Sequence, residues 1–189
     1  MITVYIKRIE NIPENEKQNI INSLSDSAKE RLNKKRNEDL HLASLGALST
    51  LNNEQRADLN YTENGNPYFA TLDQDISISH SKYFAAVAIS TSKDEKIGID
   101  IENVTKATIS NRFFTENEKQ YATDTLKFLE IWTRKESLFK FLKNDATPFI
   151  HLDSTTPEKY GATFATVQIN EYIITICKSG QAQIEIIQK

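Results

Sequence analysis

One hexapeptide does most to limit what this chain can fold into: Ile97-Gly98-Ile99-Asp100-Ile101-Glu102. Strict alternation of this kind has the period of a β-strand, so the three isoleucines share one face and Gly98, Asp100 and Glu102 share the other. Asp is depleted in strands and Glu somewhat so. Two carboxylates about 7 Å apart along one strand face repel and raise each other's pKa unless a cation lies between them. Oxygen ligands of this type suit a hard divalent ion, Mg²⁺ or Mn²⁺. Gly98 leaves space beside the pair for a ligand to approach the backbone. The alternative is an edge strand whose acidic face is merely solvated, and the hexapeptide alone leaves both open.

The flanking sequence surrounds this strand with mixed structure. Thr3 to Ile6 reads as an edge or opening strand. Ser25 or Asp26 could cap a helix running to about Leu51, with Lys34-Lys35-Arg36 in its middle as a solvated basic face or a phosphate contact. Asn64-Gly65-Asn66-Pro67 marks a turn. Strand-like runs follow at Asp75 to His80, Tyr83 to Ser90 and Lys96 to Val104. Thr115 and Glu118 form a capping-box pattern, and a long helix is expected from about Thr125 to Leu142. The tail reads as strands at Ala162 to Ile169, Tyr172 to Cys177 and Gln183 to Ile187, with Lys178-Ser179-Gly180 turning the last pair. Helix-then-strands therefore occurs twice. The expectation is an α+β fold of two similar halves, residues 1–97 and 98–189, a pseudo-dimer within one chain.

The long helix carries an anomaly. Phe128, Ile131, Trp132, Phe139 and Leu142 fall on one apolar stripe, and Lys135 falls in its middle. A lysine there must snorkel or meet an anion. Glu136 lies on the border with Lys140 one turn on, a spacing that also suits an ordinary surface pair. At the end of an earlier strand, Ser77, Ser79 and Ser81 surround His80, a grouping able to donate to a phosphate.

Composition narrows the classes. Apolar residues make up 39% of 189 residues and charged residues 26%, enough for a packed core. Net charge is −3, which gives no nucleic-acid footprint. Cys177 is the single cysteine and the three histidines are scattered, so neither an internal disulfide nor a zinc motif is expected. With no apolar run of membrane length, a cytoplasmic monomer is the expectation.

Taken together, the motifs resemble those of the Sfp-type 4′-phosphopantetheinyl transferases. Asn64-Gly65-Asn66-Pro67 is similar to the family's Gly-Lys-Pro turn, and Ser79-His80-Ser81 to its Ser-His-Ser strand end. Gly98-Ile99-Asp100-Ile101-Glu102 is similar to Gly-Ile-Asp-x-Glu, and Arg112-Phe113-Phe114 to Arg-Phe-Phe. Trp132-Thr133-Arg134-Lys135-Glu136-Ser137-Leu138-Phe139-Lys140 is similar to Trp-x-x-Lys-Glu-Ser-x-x-Lys. The resemblance implies a cleft between the halves, coenzyme A as donor, and transfer of its phosphopantetheine arm to a serine of an apo acyl or peptidyl carrier protein. It implies that Asp100, Glu102 and Glu136 hold the metal, that Lys140 reaches the pyrophosphate, and that Ser79 and His80 contact the donor. Glu136 is then the candidate base for the serine proton. Asn66 and Leu42 stand where the family commonly has basic residues, and Phe141-Leu142-Lys143-Asn144-Asp145 replaces a Gly-rich segment. Two alternatives stand beside this reading: a non-catalytic relative that binds coenzyme A or a carrier protein, and an interaction protein with a solvated acidic strand.

Overall fold

The structure is a computed structural model describing residues 1–9, 12–35, 37–105, 111–143 and 147–189. Arg36, Asn144 and Asp145 lie outside the described residues. The architecture is α+β, in four layers. Four helices cover one face of a first sheet, a second sheet packs on its other face, and a long helix covers the second sheet.

The first sheet is built from β1 (Ile2–Arg8), β4 (Ile76–Ser81), β5 (Phe84–Ser90) and β9 (Ile184–Gln188), in the order β4-β5-β1-β9. The second contains β6 (Ile97–Asn103), β7 (Ala162–Ile169) and β8 (Tyr172–Ser179), with β8 in the middle. A small hairpin of β2 (Leu59–Tyr61) and β3 (Pro67–Phe69) is closed by the Asn64-Gly65 turn. Gly65 holds φ +82°, where a side chain would be strained.

Two strand expectations need correction. β1 is the opening strand and not an edge, since β5 pairs with it antiparallel and β9 pairs with it in parallel. The Lys178-Ser179-Gly180 turn therefore does not join a hairpin: the chain leaves the second sheet there and crosses to complete the first. Burial explains the alternation of β1. Ile2, Val4 and Ile6 interlock with Ile97, Ile99, Ile101, Ile174 and Ile176 between the sheets.

The expected helix from Ser25 to Leu51 is two helices, α2 (Asp26–Asn33) and α3 (Glu38–Leu48), preceded by α1 (Glu14–Ser23) and followed by α4 (Asn53–Asp58). The break has a local cause. Asn37 adopts extended backbone and its side chain accepts from Asp39 N at 2.8 Å, starting a new helix. Downstream, Thr115 and Glu118 make the expected capping box at the start of α5 (Glu116–Tyr121). Asp124 caps α6, which spans Thr125–Leu142.

The faces of α6 differ from the expected stripe. Leu129, Ile131, Thr133, Lys135, Ser137, Leu138 and Phe141 are buried, while Phe139 is 45% exposed. Small and polar side chains turn inward because the helix backbone lies directly on the sheet, where Thr133 and Thr175 share a 2.8 Å hydrogen bond. Lys135 does not snorkel. Its ammonium donates to Glu118 Oε2 at 2.8 Å and to the Leu152 carbonyl, with both charged groups fully buried. The other oxygen of Glu118 accepts from the backbone N–H and hydroxyl of Ser154. Removing one partner strands the other charge in the core, so Lys135→Met is expected to cost about 3–5 kcal/mol in urea unfolding. Adding Glu118→Gln should recover part of that loss. A single-mutant cost under ~1 kcal/mol would show that the pair is not what holds α5 to α6.

Candidate active site

β6 is buried along its whole length, which removes the solvated-edge alternative. Asp100 is 5% exposed and Glu102 8%. Their face meets α6, and the place beside Gly98 is filled by helix backbone. A Cβ there would collide with the Ser137 carbonyl and stand 2.6 Å from Phe141 N. The glycine therefore serves helix–strand packing, and no ligand reaches the backbone at that point.

β4 and β6 are edge strands of different sheets, joined by side chains in place of a backbone ladder. Asp75, Ser77 and Ser79 project alternately from β4 and its N-terminal flank towards β6. Asp75 Oδ2 accepts from Ile97 N at 2.9 Å and Ser77 Oγ from Ile99 N at 3.0 Å. Ser79 Oγ donates to Asp100 Oδ1 at 2.7 Å. The last turn of α6 spans this seam. Lys140 Nζ donates to Asp100 Oδ1 at 2.7 Å, to Ser79 Oγ at 2.9 Å and to the Ile99 carbonyl at 3.0 Å. Lys143 Nζ bonds Asp75 Oδ1 and the Ile76 carbonyl. Asn66 donates through Nδ2 to the Lys143 carbonyl at 2.6 Å. It ties the β2–β3 turn to the helix end.

The expected site residues are thus distributed unevenly. Asp100, Ser79 and Lys140 converge in one hydrogen-bonded triangle. Glu102 is held on the same strand face by the Trp132 indole, whose Nε1 donates to Oε1 at 3.2 Å. Trp132 is half-buried rather than a pure core residue. Glu136 is half-buried on α6, one turn before Lys140. Lys140 forms an ion pair with Asp100 Oδ1 at 2.7 Å.

A metal fits part of this arrangement. Asp100 Oδ2 is buried and has no hydrogen-bond partner. An unpaired buried carboxylate oxygen is costly, and either a hydrogen-bond donor or a cation would satisfy it. Among the described residues, no three His, Cys, Asp or Glu side chains are grouped to hold an ion by themselves. Mg²⁺ commonly takes one or two protein carboxylates and completes its shell with substrate phosphates and water. Asp100 and Glu102 fit that pattern.

His80 points to the opposite side of β4 from Ser79. It lines a cavity of about 140 Å³ with Arg31, Lys35, Tyr61, Gly65 and Pro67. It also lines an open groove of about 690 Å³ with Asp39, Leu40, Tyr83, Glu102 and Asn103. One histidine therefore joins a cationic cavity to a groove lined by Glu102. Partial desolvation, then Lys35 and Lys140, hold the imidazole below its ordinary pKa. Desolvation, then Arg31, lowers that of Lys35. Arg31 and Lys35 repel each other across this cavity, a strain that a phosphate would relieve. Lys34 turns away to Glu30 at 2.6 Å. Arg31 was not among the expected residues. Its signal was the four-residue spacing to Lys35, and its guanidinium lies 5.6 Å over the Tyr61 ring. Ser79 does not line the cavity, and neither do Leu42 or Asn66.

Such a layout suits a ligand carrying several phosphates. Residues 96–182 match the family described as the 4′-phosphopantetheinyl transferase superfamily. The chain is also similar to 4′-phosphopantetheinyl transferase gsp of Aneurinibacillus migulanus, with 37% identity over 86 residues, 41% of this chain. The chain spans 35% of the length of that curated relative. Both findings bear out the family resemblance read from the motifs. No described helix is long and apolar enough to cross a membrane.

Proposed function

We propose that this protein transfers the 4′-phosphopantetheine arm of coenzyme A to a serine hydroxyl of an apo acyl or peptidyl carrier protein. It does so in the presence of Mg²⁺ or Mn²⁺, releases 3′,5′-ADP, and works as a cytoplasmic monomer whose two similar halves, 1–97 and 98–189, flank the site. The observation that carries this reading is His80, which belongs to both the cationic cavity and the Glu102 groove.

In this reading Arg31, Lys35 and His80 take the 3′-phosphate, and the pantetheine arm follows the groove past Tyr83. Asp100 and Glu102, with Glu136, hold the metal, which when bound offsets charge on the pyrophosphate and on the leaving 3′,5′-ADP. Lys140 has all three donors engaged at the seam, so it reaches the pyrophosphate by exchanging at least one of them. Glu136 accepts the proton of the carrier's serine. The serine oxygen then bonds the β-phosphorus, and the bond to the bridging oxygen breaks with its electron pair leaving on 3′,5′-ADP. Incubation with coenzyme A, Mg²⁺ and a panel of apo carrier proteins tests this by mass spectrometry. No arm on any carrier would overturn it.

The cationic cavity also makes a prediction about donor choice. Leu42 and Asn66 remove two family cations, and Lys35 with Arg31 replaces them. Wild type should prefer coenzyme A to dephospho-coenzyme A, and Lys35→Ala should reduce that preference by about tenfold, one charge-assisted contact. His80 sits below its ordinary pKa in the free protein, by desolvation first, and gains a proton more readily beside a phosphate. The preference should therefore be greater at pH 6 than at pH 8. Equal preference in wild type and Lys35→Ala, at both pH values, would remove the 3′-phosphate from this cavity.

A further inference from the structure

Ser79 is buried on β4, and its hydroxyl proton is committed to Asp100 Oδ1. Its oxygen accepts from Lys140. Asp100 Oδ1 thus receives two donors while Oδ2 receives none. A carboxylate can turn about its terminal torsion, which is broad and nearly two-fold, and exchange its oxygens. Something must hold this one in place for a single oxygen to face a cation. Lys140 is a poor candidate for that task. Its side chain is long, 25% exposed, and attracted away by any diphosphate that arrives. Ser79 has a single short rotor on a strand and stays when Lys140 leaves.

We propose that Ser79 is a positioning residue for the metal centre: it pins Asp100 Oδ1 against β4 so that Oδ2 is presented to the divalent ion, whether or not Lys140 is in place. This rests on the reading that Asp100 holds that ion. It gives the serine of the Ser-His pair a role separate from His80, whose side chain faces the phosphate cavity on the other side of the strand.

The test is Mn²⁺ binding, followed by the electron paramagnetic resonance signal of free Mn²⁺, with coenzyme A at saturation and no carrier protein. Losing a hydrogen bond that orients a ligand typically weakens metal affinity by ~10–100-fold, and Ser79→Ala is expected to fall in that range. Ser79→Thr keeps the hydroxyl and should restore binding. Ser77→Ala supplies the structural control. It removes the neighbouring seam hydrogen bond to Ile99 N without touching Asp100, so its Mn²⁺ affinity should stay within about threefold of wild type. Wild-type affinity in Ser79→Ala overturns the inference and leaves the proposed function standing. Equal weakening in Ser77→Ala and Ser79→Ala overturns it as well, because seam loosening then explains both. If wild type binds no Mn²⁺, or Asp100→Asn binds it as tightly as wild type, the metal reading fails and the inference with it.

Discussion

Asp100→Asn is expected to lower kcat/KM for phosphopantetheine transfer by on the order of 10³-fold, the scale of removing one preorganised electrostatic group from a transition state. The substitution is nearly isosteric. Its amide oxygen can still accept from Ser79 and Lys140, so the seam between β4 and β6 persists. What changes is the second oxygen. Asp100 Oδ2, buried and without a hydrogen-bond partner, becomes an amide nitrogen. That costs about 1–3 kcal/mol of stability, or roughly 2–12 °C in a chain of this size. The pairing of a modest Tm shift with a large loss in turnover is the signature to look for. A D100N enzyme within tenfold of wild type would falsify the assignment of Asp100 to the chemistry.

Gly98→Ala should be the most damaging small substitution for the fold. The added methyl group would meet the Ser137 carbonyl and Phe141 N, two partners in one helical turn of α6. Both are backbone atoms, so no rotamer change makes room. Either the helix lifts off β6 or its hydrogen bonding opens. Each route separates Thr133 from Thr175 and withdraws Lys140 from Asp100. A destabilisation of ~4–5 kcal/mol is expected, in the range reserved for strained or overpacked cores. Thermal unfolding should show a fall of roughly 8–20 °C. A loss below ~1 kcal/mol would mean that α6 can shift without cost, and that the tight approach is incidental.

What the sequence disclosed was mostly local. Alternation placed β6, a strand-like run placed β7, and the Thr115–Glu118 box marked the start of α5. Asn37, followed by Glu38 and Asp39, carried the signal for the break between α2 and α3, but the apolar residues on either side masked it. Lys135 was visible as an anomaly. Its partner was not, because Glu118 already had a task in its capping box and only the folded chain shows that its carboxylate serves both. The candidate site was half legible. Alternation put Asp75, Ser77 and Ser79 on one face, yet nothing along the chain said that this face would meet β6. The hydrogen bond from Ser79 to Asp100 across that seam was therefore not visible in the sequence.

The pairing of β9 with β1 has a consequence for how the chain is made. Ile2 and Ile184 are partners separated by roughly 180 residues of sequence. At ~5–20 residues per second, a ribosome needs roughly 10–35 s to travel between them. β5 can cover one edge of β1 early, but the other edge has no partner until residues 184–188 emerge. During that interval the nascent chain carries an apolar strand with open hydrogen-bonding groups, the kind of edge that pairs with other chains. The length of the exposure is set by translation rather than by the stability of the finished protein.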